Sequence, residues 1–442
     1  MVDRSRAALG RLAGYLDLFA GCFHRRVQRG AVRRYVEGLF GPSARKNLAR
    51  MWAETTDAGN YQTLQHFITT SPWSDEAVWR RLRKVVPERR GILISDDTGI
   101  PKKGTHSVGV QRQYSGTLGK IDNCQIAVTT VLRTARWTWP LAMDLYLPEV
   151  WANDPARRSE AEIPGAVRYR PKWKISLAQI EKVRRSGFEI ECVVADAGYG
   201  DSAEYRLRLA RKGLSYVVGV KSTTAAWVGS PRFVEPKKNP VGRPRTRRLA
   251  QNNRKPRSVA EIAGTLAADA WKTIRWRGGS GAVRRGVFAA LRVTPSHGWT
   301  KWYRGRRNPE GWLLVERRKN ETKYYLSNLP SDTSLLRLVE LAKARWAVEQ
   351  NYRDLKDELG FDHFEGRRWN GWHHHAVLTA LTFTFLELER RRGGSPKGQL
   401  TRPAVRRFTR TVFSCLLIAG NKKLFQLTED FHRHPPTWWT GR

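Results

Sequence analysis

Cysteine is rare in this sequence, and the few cysteines form no metal-binding or disulfide pattern. The chain of 442 residues has four of them, which lie far apart and include no C-x-x-C pair: Cys22, Cys124, Cys192 and Cys415. This spacing argues against a zinc ribbon and against a disulfide framework, and it is typical of a reducing compartment. We therefore expect a cytoplasmic protein.

Long apolar segments are also missing. A helix needs about 20 predominantly apolar residues to span a bilayer, whereas the best candidate, TVFSCLLIAG at 411–420, is far shorter. Near the N-terminus Asp17 interrupts the apolar stretch LAGYLDLFAGC, so a secretory signal is not expected. We expect neither a membrane anchor nor a membrane partner.

Acidic residues are scarce relative to basic ones. The chain has 40 Asp and Glu residues against 80 Lys and Arg residues, which gives a formal net charge of +40. Charge of this size attracts polyanions, and nucleic acid is the commonest polyanion for a soluble chain. We expect a DNA partner and no small-molecule substrate, because a glycosidase built on paired carboxylates fits this charge poorly.

Sequence patterns divide the chain into five segments and predict an α/β protein. Residues 1–88 have helical spacing and a surplus of Arg, which favours a helical DNA-binding domain over a plain bundle. Strand and helix patterns over 89–225 predict a mixed α/β core. Residues 226–332 start as a basic, Pro-rich loop and continue as a β-rich insertion. Residues 333–395 predict core helices, and 396–442 a C-terminal helical region.

Three acids occupy positions where a carboxylate is structurally unwelcome. Asp97 ends the first core strand, Asp196 ends a later one, and Glu349 lies on a long predicted helix. Ligand sites in open α/β sheets form at the carboxyl ends of strands, so the two aspartates are expected to share a crevice. Carboxylates gathered in a basic protein suggest bound Mg²⁺, since hard cations take oxygen ligands and offset their mutual repulsion.

The long predicted helix carries a polar stripe. At about 100° per residue, Arg345, Glu349, Tyr352 and Lys356 fall within about 60° of one another. The stripe is either part of the site or an ordinary exposed face with i,i+4 ion pairs such as Arg345–Glu349. Helical periodicity alone leaves both interpretations open.

Three sequence blocks carry a family resemblance. They are DDTGIPKKGTHSVGVQRQYSGTLGKIDNCQ at 96–125, ADAGYGD at 195–201, and ARWAVEQNYRDLKDELGFDHFEGR at 344–367. In this order they resemble bacterial insertion-sequence transposases of the DDE superfamily, in particular the subgroup with a Tyr–Arg–Glu–Lys signature around its third acid. The resemblance extends over residues 60–390.

The resemblance implies an RNase H-like core with a β-rich insertion between the second and third acids. It implies that Asp97, Asp196 and Glu349 are the catalytic residues and the ligands of two Mg²⁺ ions, for which Mn²⁺ would substitute. Arg345 and Lys356 then contact phosphate. The chain departs from the signature at Ala342, where the family has its tyrosine, and Tyr352 on the same stripe is the candidate replacement.

The resemblance also distinguishes between the two adjacent aspartates of the first block. The metal-binding role falls on Asp97, directly before Thr98. Neighbouring strand residues point to opposite faces, so Asp96 is expected to face away and form a hydrogen bond or ion pair. The PKKG sequence that follows reads as a turn that brings Lys102 and Lys103 towards the DNA backbone.

A second basic element lies in the predicted loop. PVGRPRTRR at 240–248 resembles an AT-hook, in which Arg243 and Arg245 would enter a narrow minor groove. The alternative is a flexible basic linker that holds phosphates without sequence preference.

Together these features predict a DNA transposase that binds terminal inverted repeats and performs metal-dependent cleavage and strand transfer by cut and paste. Its partners would be the double-stranded DNA of the element ends and of the target. Two ends must be brought together, so a homodimer associated with the nucleoid is expected. The alternatives are a catalytically inactive DNA-binding regulator and an RNase H-like nuclease or resolvase.

Overall fold

The computed structural model describes residues 2–41, 43–53, 60–115, 119–234, 249–251, 255–278, 282–296 and 309–392. Its helices are α1 Val2–Asp17, α2 Arg26–Phe40, α3 Leu48–Ala53, α4 Tyr61–Thr69, α5 Asp75–Val85, α6 Glu149–Ala152, α7 Pro155–Glu160, α8 Lys172–Arg185, α9 Ala197–Gly200, α10 Ala203–Arg211, α11 Val259–Gly264, α12 Leu335–Ala344, α13 Trp346–Asp357 and α14 Trp369–Arg392. Its strands are β1 Arg90–Pro101, β2 Gln111–Ser115, β3 Lys120–Arg133, β4 Thr138–Leu145, β5 Glu189–Ala195, β6 Tyr216–Val220, β7 Ala225–Val228, β8 Phe233–Val234, β9 Leu249–Ala250, β10 Arg257–Ser258, β11 Lys272–Arg277, β12 Val283–Pro295, β13 Gly311–Arg317 and β14 Thr322–Ser327.

The central part of the sheet has the strand order β4–β3–β1–β5–β6. β1 and β4 run antiparallel to β3, whereas β5 lies parallel to both β1 and β6. This mixed sheet confirms the predicted α/β class and is consistent with an RNase H-like core. Asp196 follows β5, which is the fifth strand along the chain. The extra strand in this count is the short β2, which pairs with the first part of β3, whereas β4 pairs with the second part.

Helices cover both faces of this sheet, because alternate strand residues point to opposite sides. On one face, Leu93 and Val193 pack in a cluster with Ile180 of α8. On the other, Val194 packs in a cluster with Leu338 of α12. Both faces of the two central parallel strands are therefore apolar, which explains their nearly continuous hydrophobic sequences.

The predicted β-rich segment extends the core sheet. β14 pairs antiparallel with β6, and β13, β12, β7 and β10 follow in that order, with β11 on the other side of β12. Among the described residues this makes one 12-stranded sheet. β11 and β12 thus belong to the same hydrogen-bonded sheet as the strands that carry Asp97 and precede Asp196.

The helices near the N-terminus pack around α14. The Tyr15 hydroxyl donates to the carbonyl of Leu381 at 2.9 Å, and the His374 ring stacks on Trp73 with centroids 3.6 Å apart. α14 is buried along most of its length and also contacts β4. None of the helices in the described ranges is long and apolar enough to cross a bilayer.

Candidate active site

The register of two parallel strands brings Asp196 to the strand end that carries Asp96 and Asp97, with Asp96 as the next position opposite Asp196. Ser95 of β1 pairs with Ala195 of β5, and adjacent strands are about 4.8 Å apart. Asp196 caps α9, where its Oδ1 accepts the Gly198 amide at 2.9 Å. Burial raises the pKa of Asp196, and the negative charge of Asp97 raises it further. The two aspartates expected to share a crevice therefore lie within electrostatic reach of each other.

The glycines of the ADAGYG block allow the chain to turn tightly after β5. A Cβ on Gly200 would lie 2.1 Å from the carbonyl oxygen of Gly219, and a Cβ on Gly219 would lie 2.9 Å from the Ala197 amide nitrogen. Only glycine fits at both positions without a shift of backbone. This close approach lets α9 sit against β6 and fixes Asp196 at the strand end.

Asp97 is held by groups from the α8 side of the sheet. Lys172 Nζ lies 3.2 Å from its Oδ2 and 3.3 Å from its Oδ1, and the Tyr199 hydroxyl donates to Oδ2 at 3.1 Å. Tyr199 is fully buried, while the Asp97 side chain is 20% exposed. Neither partner was identified from the sequence: Lys172 lies on α8, outside the three motif blocks, and Tyr199 lies within the ADAGYGD block but was given no role there.

Asp96 points to the opposite face and forms the expected ion pair. Its Oδ1 accepts the amide of Asp97 at 2.9 Å, and its Oδ2 accepts Arg345 Nη1 at 2.8 Å. Burial raises the pKa of Asp96, and the Arg345 guanidinium opposes this shift. The partner is informative, because Arg345 belongs to the third sequence block.

Arg345 also binds Glu349 and so connects two carboxylates. Its Nη2 lies 2.7 Å from Glu349 Oε1. It stands between α12 and α13, so the single long helix predicted here is wrong in one detail: two helices meet at this residue. The Glu349 side chain is 39% exposed and faces the same side of the sheet as Asp96.

The rest of the polar stripe is buried against β1. Tyr352 is 8% exposed, packs with Ile94 and Val131, and hydrogen-bonds Thr129. Lys356 is equally buried and donates to the carbonyl of Gly99 at 2.8 Å. The interpretation as an ordinary exposed face is therefore wrong for these two residues. Their predicted contact with phosphate remains a prediction.

The other predicted phosphate-binding residues differ in their surroundings. Lys102 donates to the carbonyls of Phe364 and Asp362, and burial lowers its pKa to about 8. Its ammonium therefore points into the protein, contrary to the turn geometry inferred from the sequence. Lys103 is exposed. Arg243 and Arg245 lie in 235–248, outside the described residues.

The donor chemistry fits a divalent cation. Asp96, Asp97, Asp196 and Glu349 supply the carboxylate oxygens that Mg²⁺ prefers, and the two raised pKa values reflect burial and like charges that a cation would relieve. Within the described ranges, no three such side chains already converge on one metal position. Instead the cations of Lys172 and Arg345 bind the carboxylates.

A basic cleft opens beside Asp196 and Glu349. It has a volume of about 1250 Å³ and is lined by Asp196, Arg345 and Glu349 on one side and by β11 and β12 on the other. Arg284 of β12 lies over the Trp346 ring at 5.0 Å. The sequence did not identify the basic residues of this cleft, because β11 and β12 appeared there only as packing elements of the insertion. The basic residues that line the cleft are Arg90, Arg133, Arg277, Arg284, Arg285, Arg318, Lys323, Arg337 and Lys343.

Comparison with known proteins adds a family assignment. A family model described as DDE superfamily endonuclease matches residues 18–282, a range that contains Asp97 and Asp196 but not Glu349. A curated protein of Microchaete diplosiphon, named "Probable transposase for insertion sequence element IS701", is 35% identical over 191 residues. The match spans 42% of this chain and 47% of the relative, so about half of the relative's length is covered.

Proposed function

The chain belongs to the DDE superfamily of endonucleases, as its three sequence blocks predicted, and we propose that it is an insertion-sequence transposase. In this proposal it binds the terminal inverted repeats of its element, cuts the DNA and joins the ends to a target. The observation that carries the proposal is the parallel pairing of β1 with β5, which brings Asp196 to the strand end that carries Asp96 and Asp97, while Asp196 also lines a basic cleft. Arg345 links Glu349 to the same strand end.

The proposed ligands are Asp97, Asp196 and Glu349, which hold two Mg²⁺ ions or, in their place, Mn²⁺. When bound, two divalent ions activate a water or a 3′-hydroxyl and stabilise the leaving 3′-oxygen. Asp196 is positioned by its cap on α9, and Asp97 by the Tyr199 hydroxyl. When Asp96 and Glu349 release Arg345, its planar guanidinium becomes free to bind a phosphate through two hydrogen bonds.

Other parts of the chain are assigned to contacts with DNA outside the catalytic site. We assign recognition of the element ends to residues 1–88 and the basic loop around Arg243 and Arg245, with Lys103 on the backbone. Lys356 and Tyr352 hold α13 on β1 and act on phosphate through that position. The active form is a homodimer that synapses two ends.

The test uses a duplex that carries the inverted repeats flanking the gene. Asp97→Asn, Asp196→Asn and Glu349→Gln should each reduce Mg²⁺-dependent cleavage at least about 1000-fold, the scale of losing a catalytic group, and leave binding of the ends intact. Asp357→Asn, on the exposed side of α13, serves as the matched control and should cut normally.

Two results would contradict the proposal. Full cleavage by any of the three variants would show that the substituted acid is not part of the catalytic site. A wild-type protein that binds the repeats but never cuts with Mg²⁺ or Mn²⁺ would instead indicate a DNA-binding regulator.

A further inference from the structure

A lysine outside every sequence block binds the first predicted metal ligand. Lys172 is the first residue of α8, and its ammonium contacts both carboxylate oxygens of Asp97 at 3.2 and 3.3 Å. Burial raises the pKa of Asp196, and the charge of Lys172 is among the groups that oppose this rise. One ammonium thus acts on two of the three acids assigned to the metal site.

The ammonium of Lys172 and a divalent cation would compete for the same binding position. Lys172 Nζ and a divalent ion would use the same oxygen atoms of Asp97, and their positive charges repel at such a distance. Lysine carries a compact charge on a flexible four-carbon stem. Its side chain is 32% exposed, so the ammonium has room to turn outward.

Asp97 stays in place if the ammonium leaves. The Tyr199 hydroxyl donates to the same carboxylate at 3.1 Å, and Tyr199 is fully buried. The carboxylate therefore keeps a fixed donor that is independent of Lys172. The aromatic ring of Tyr146 also lies near the ammonium, with its centroid 5.9 Å from Lys172 Nζ.

We propose that Lys172 is a metal-displaced phosphate ligand, a proposal that rests on the function proposed above. In the metal-free protein its ammonium neutralises Asp97. When a divalent ion binds Asp97, the ammonium moves to a phosphate of the bound DNA. Lys172 thereby couples the two binding events: it weakens metal binding to the free protein and strengthens DNA binding to the metal-loaded protein.

The first measurement is Mn²⁺ binding to the DNA-free protein by calorimetry. Lys172→Gln should bind Mn²⁺ about fivefold more tightly than wild type, the size of effect expected when a partly exposed like charge is removed. Lys172→Arg retains the charge and should resemble wild type. Lys174→Gln, an exposed lysine on the same helix, is the matched control and should not change Mn²⁺ affinity.

The second measurement is affinity for a fluorescent duplex of mixed sequence, in EDTA and in Ca²⁺. Lys172→Gln should weaken binding about fivefold in Ca²⁺ and leave it unchanged in EDTA, whereas a merely structural lysine would alter both or neither. Equal affinities for Mn²⁺ in wild type and Lys172→Gln would overturn the inference. Asp97→Asn tests the proposed metal site itself. If this variant binds Mn²⁺ no differently from wild type, Mn²⁺ binding does not depend on Asp97, and the proposed metal site would be overturned instead.

Discussion

At the scale of single residues, the two neighbouring aspartates show how far sequence reasoning reaches. Strand alternation predicts that Asp96 and Asp97 face opposite sides, and the structure has Arg345 on one and Lys172 on the other. Alternation is local, so it can be read from a few residues. The identities of the partners depend on α8 and on the junction before α13, which are distant in sequence. They therefore required the structure.

Arg345 gives a prediction at this scale. Its two nitrogens bind Asp96 and Glu349 at 2.8 and 2.7 Å, and lysine offers no planar fork with which to bridge them. Arg345→Lys should lower the free energy of unfolding by about 1–2 kcal/mol, a value discounted because the arginine is partly exposed. Urea unfolding measures this change. The exposed Arg337, changed to Lys, should shift stability by less than about 0.5 kcal/mol.

Gly200 gives a second prediction. The Cβ of Gly200→Ala would lie 2.1 Å from a backbone oxygen of β6, so the strand or α9 must move. We expect a loss of about 3 kcal/mol or more in unfolding free energy, together with displacement of Asp196. Gly264→Ala has open space around its new methyl group and should be neutral. A normal stability for Gly200→Ala would show that the turn after β5 is looser than described.

At the scale of elements, helix existence was predictable and helix environment was not. The apolar pattern predicts helices from residue 333 onward, but pattern alone left the polar stripe of α13 either exposed or part of the site. The structure buries Tyr352 and Lys356 and leaves Glu349 accessible. The difference arises because Tyr352 and Lys356 pack against β1, and which face of a helix meets another element follows from packing between elements rather than from periodicity.

The histidines of α14 give a prediction about pH. His375 Nε2 faces the Phe361 carbonyl at 3.1 Å and therefore carries its hydrogen, so Nδ1 accepts from the Tyr35 hydroxyl at 2.8 Å. Burial lowers the pKa of His375 to about 3. A histidine in the unfolded chain has a pKa of about 6.5. Between these two pH values, the unfolded chain therefore binds a proton at His375 that the folded chain does not bind. Stability should fall as the pH drops from about 6.5 towards 3.

The measurement is urea unfolding at several pH values. One such proton contributes a slope of up to about 1.4 kcal/mol per pH unit. His375→Gln cannot take up the proton and should flatten the slope in this window. The exposed His66, changed to Gln, should leave it as in wild type. An unchanged slope in His375→Gln would assign the acid sensitivity elsewhere.

At the scale of the whole molecule, the charge predicts salt-dependent binding. Arg284 and Arg285 line the cleft beside the acids and are exposed. If both neutralise phosphates, Arg284→Gln with Arg285→Gln should reduce the slope of log affinity against log salt by about 2 units. Arg184→Gln with Arg185→Gln is a matched control, because both arginines already pair with Glu181 on the surface of α8. Equal slopes for the two double variants would exclude the cleft as a phosphate site.

The pairing of β14 with β6 has a consequence for synthesis of the chain. Val220 lies opposite Tyr324, about a hundred positions later, so on the ribosome β6 emerges long before its neighbour. During that interval a parallel, apolar strand edge is open to other nascent chains. α13 follows β14 in the chain, so Glu349 is synthesised only after the last strand of the described sheet. We therefore expect chains interrupted before residue 322 to aggregate with two of the three acids in place, and nuclease competence to be reserved for finished molecules.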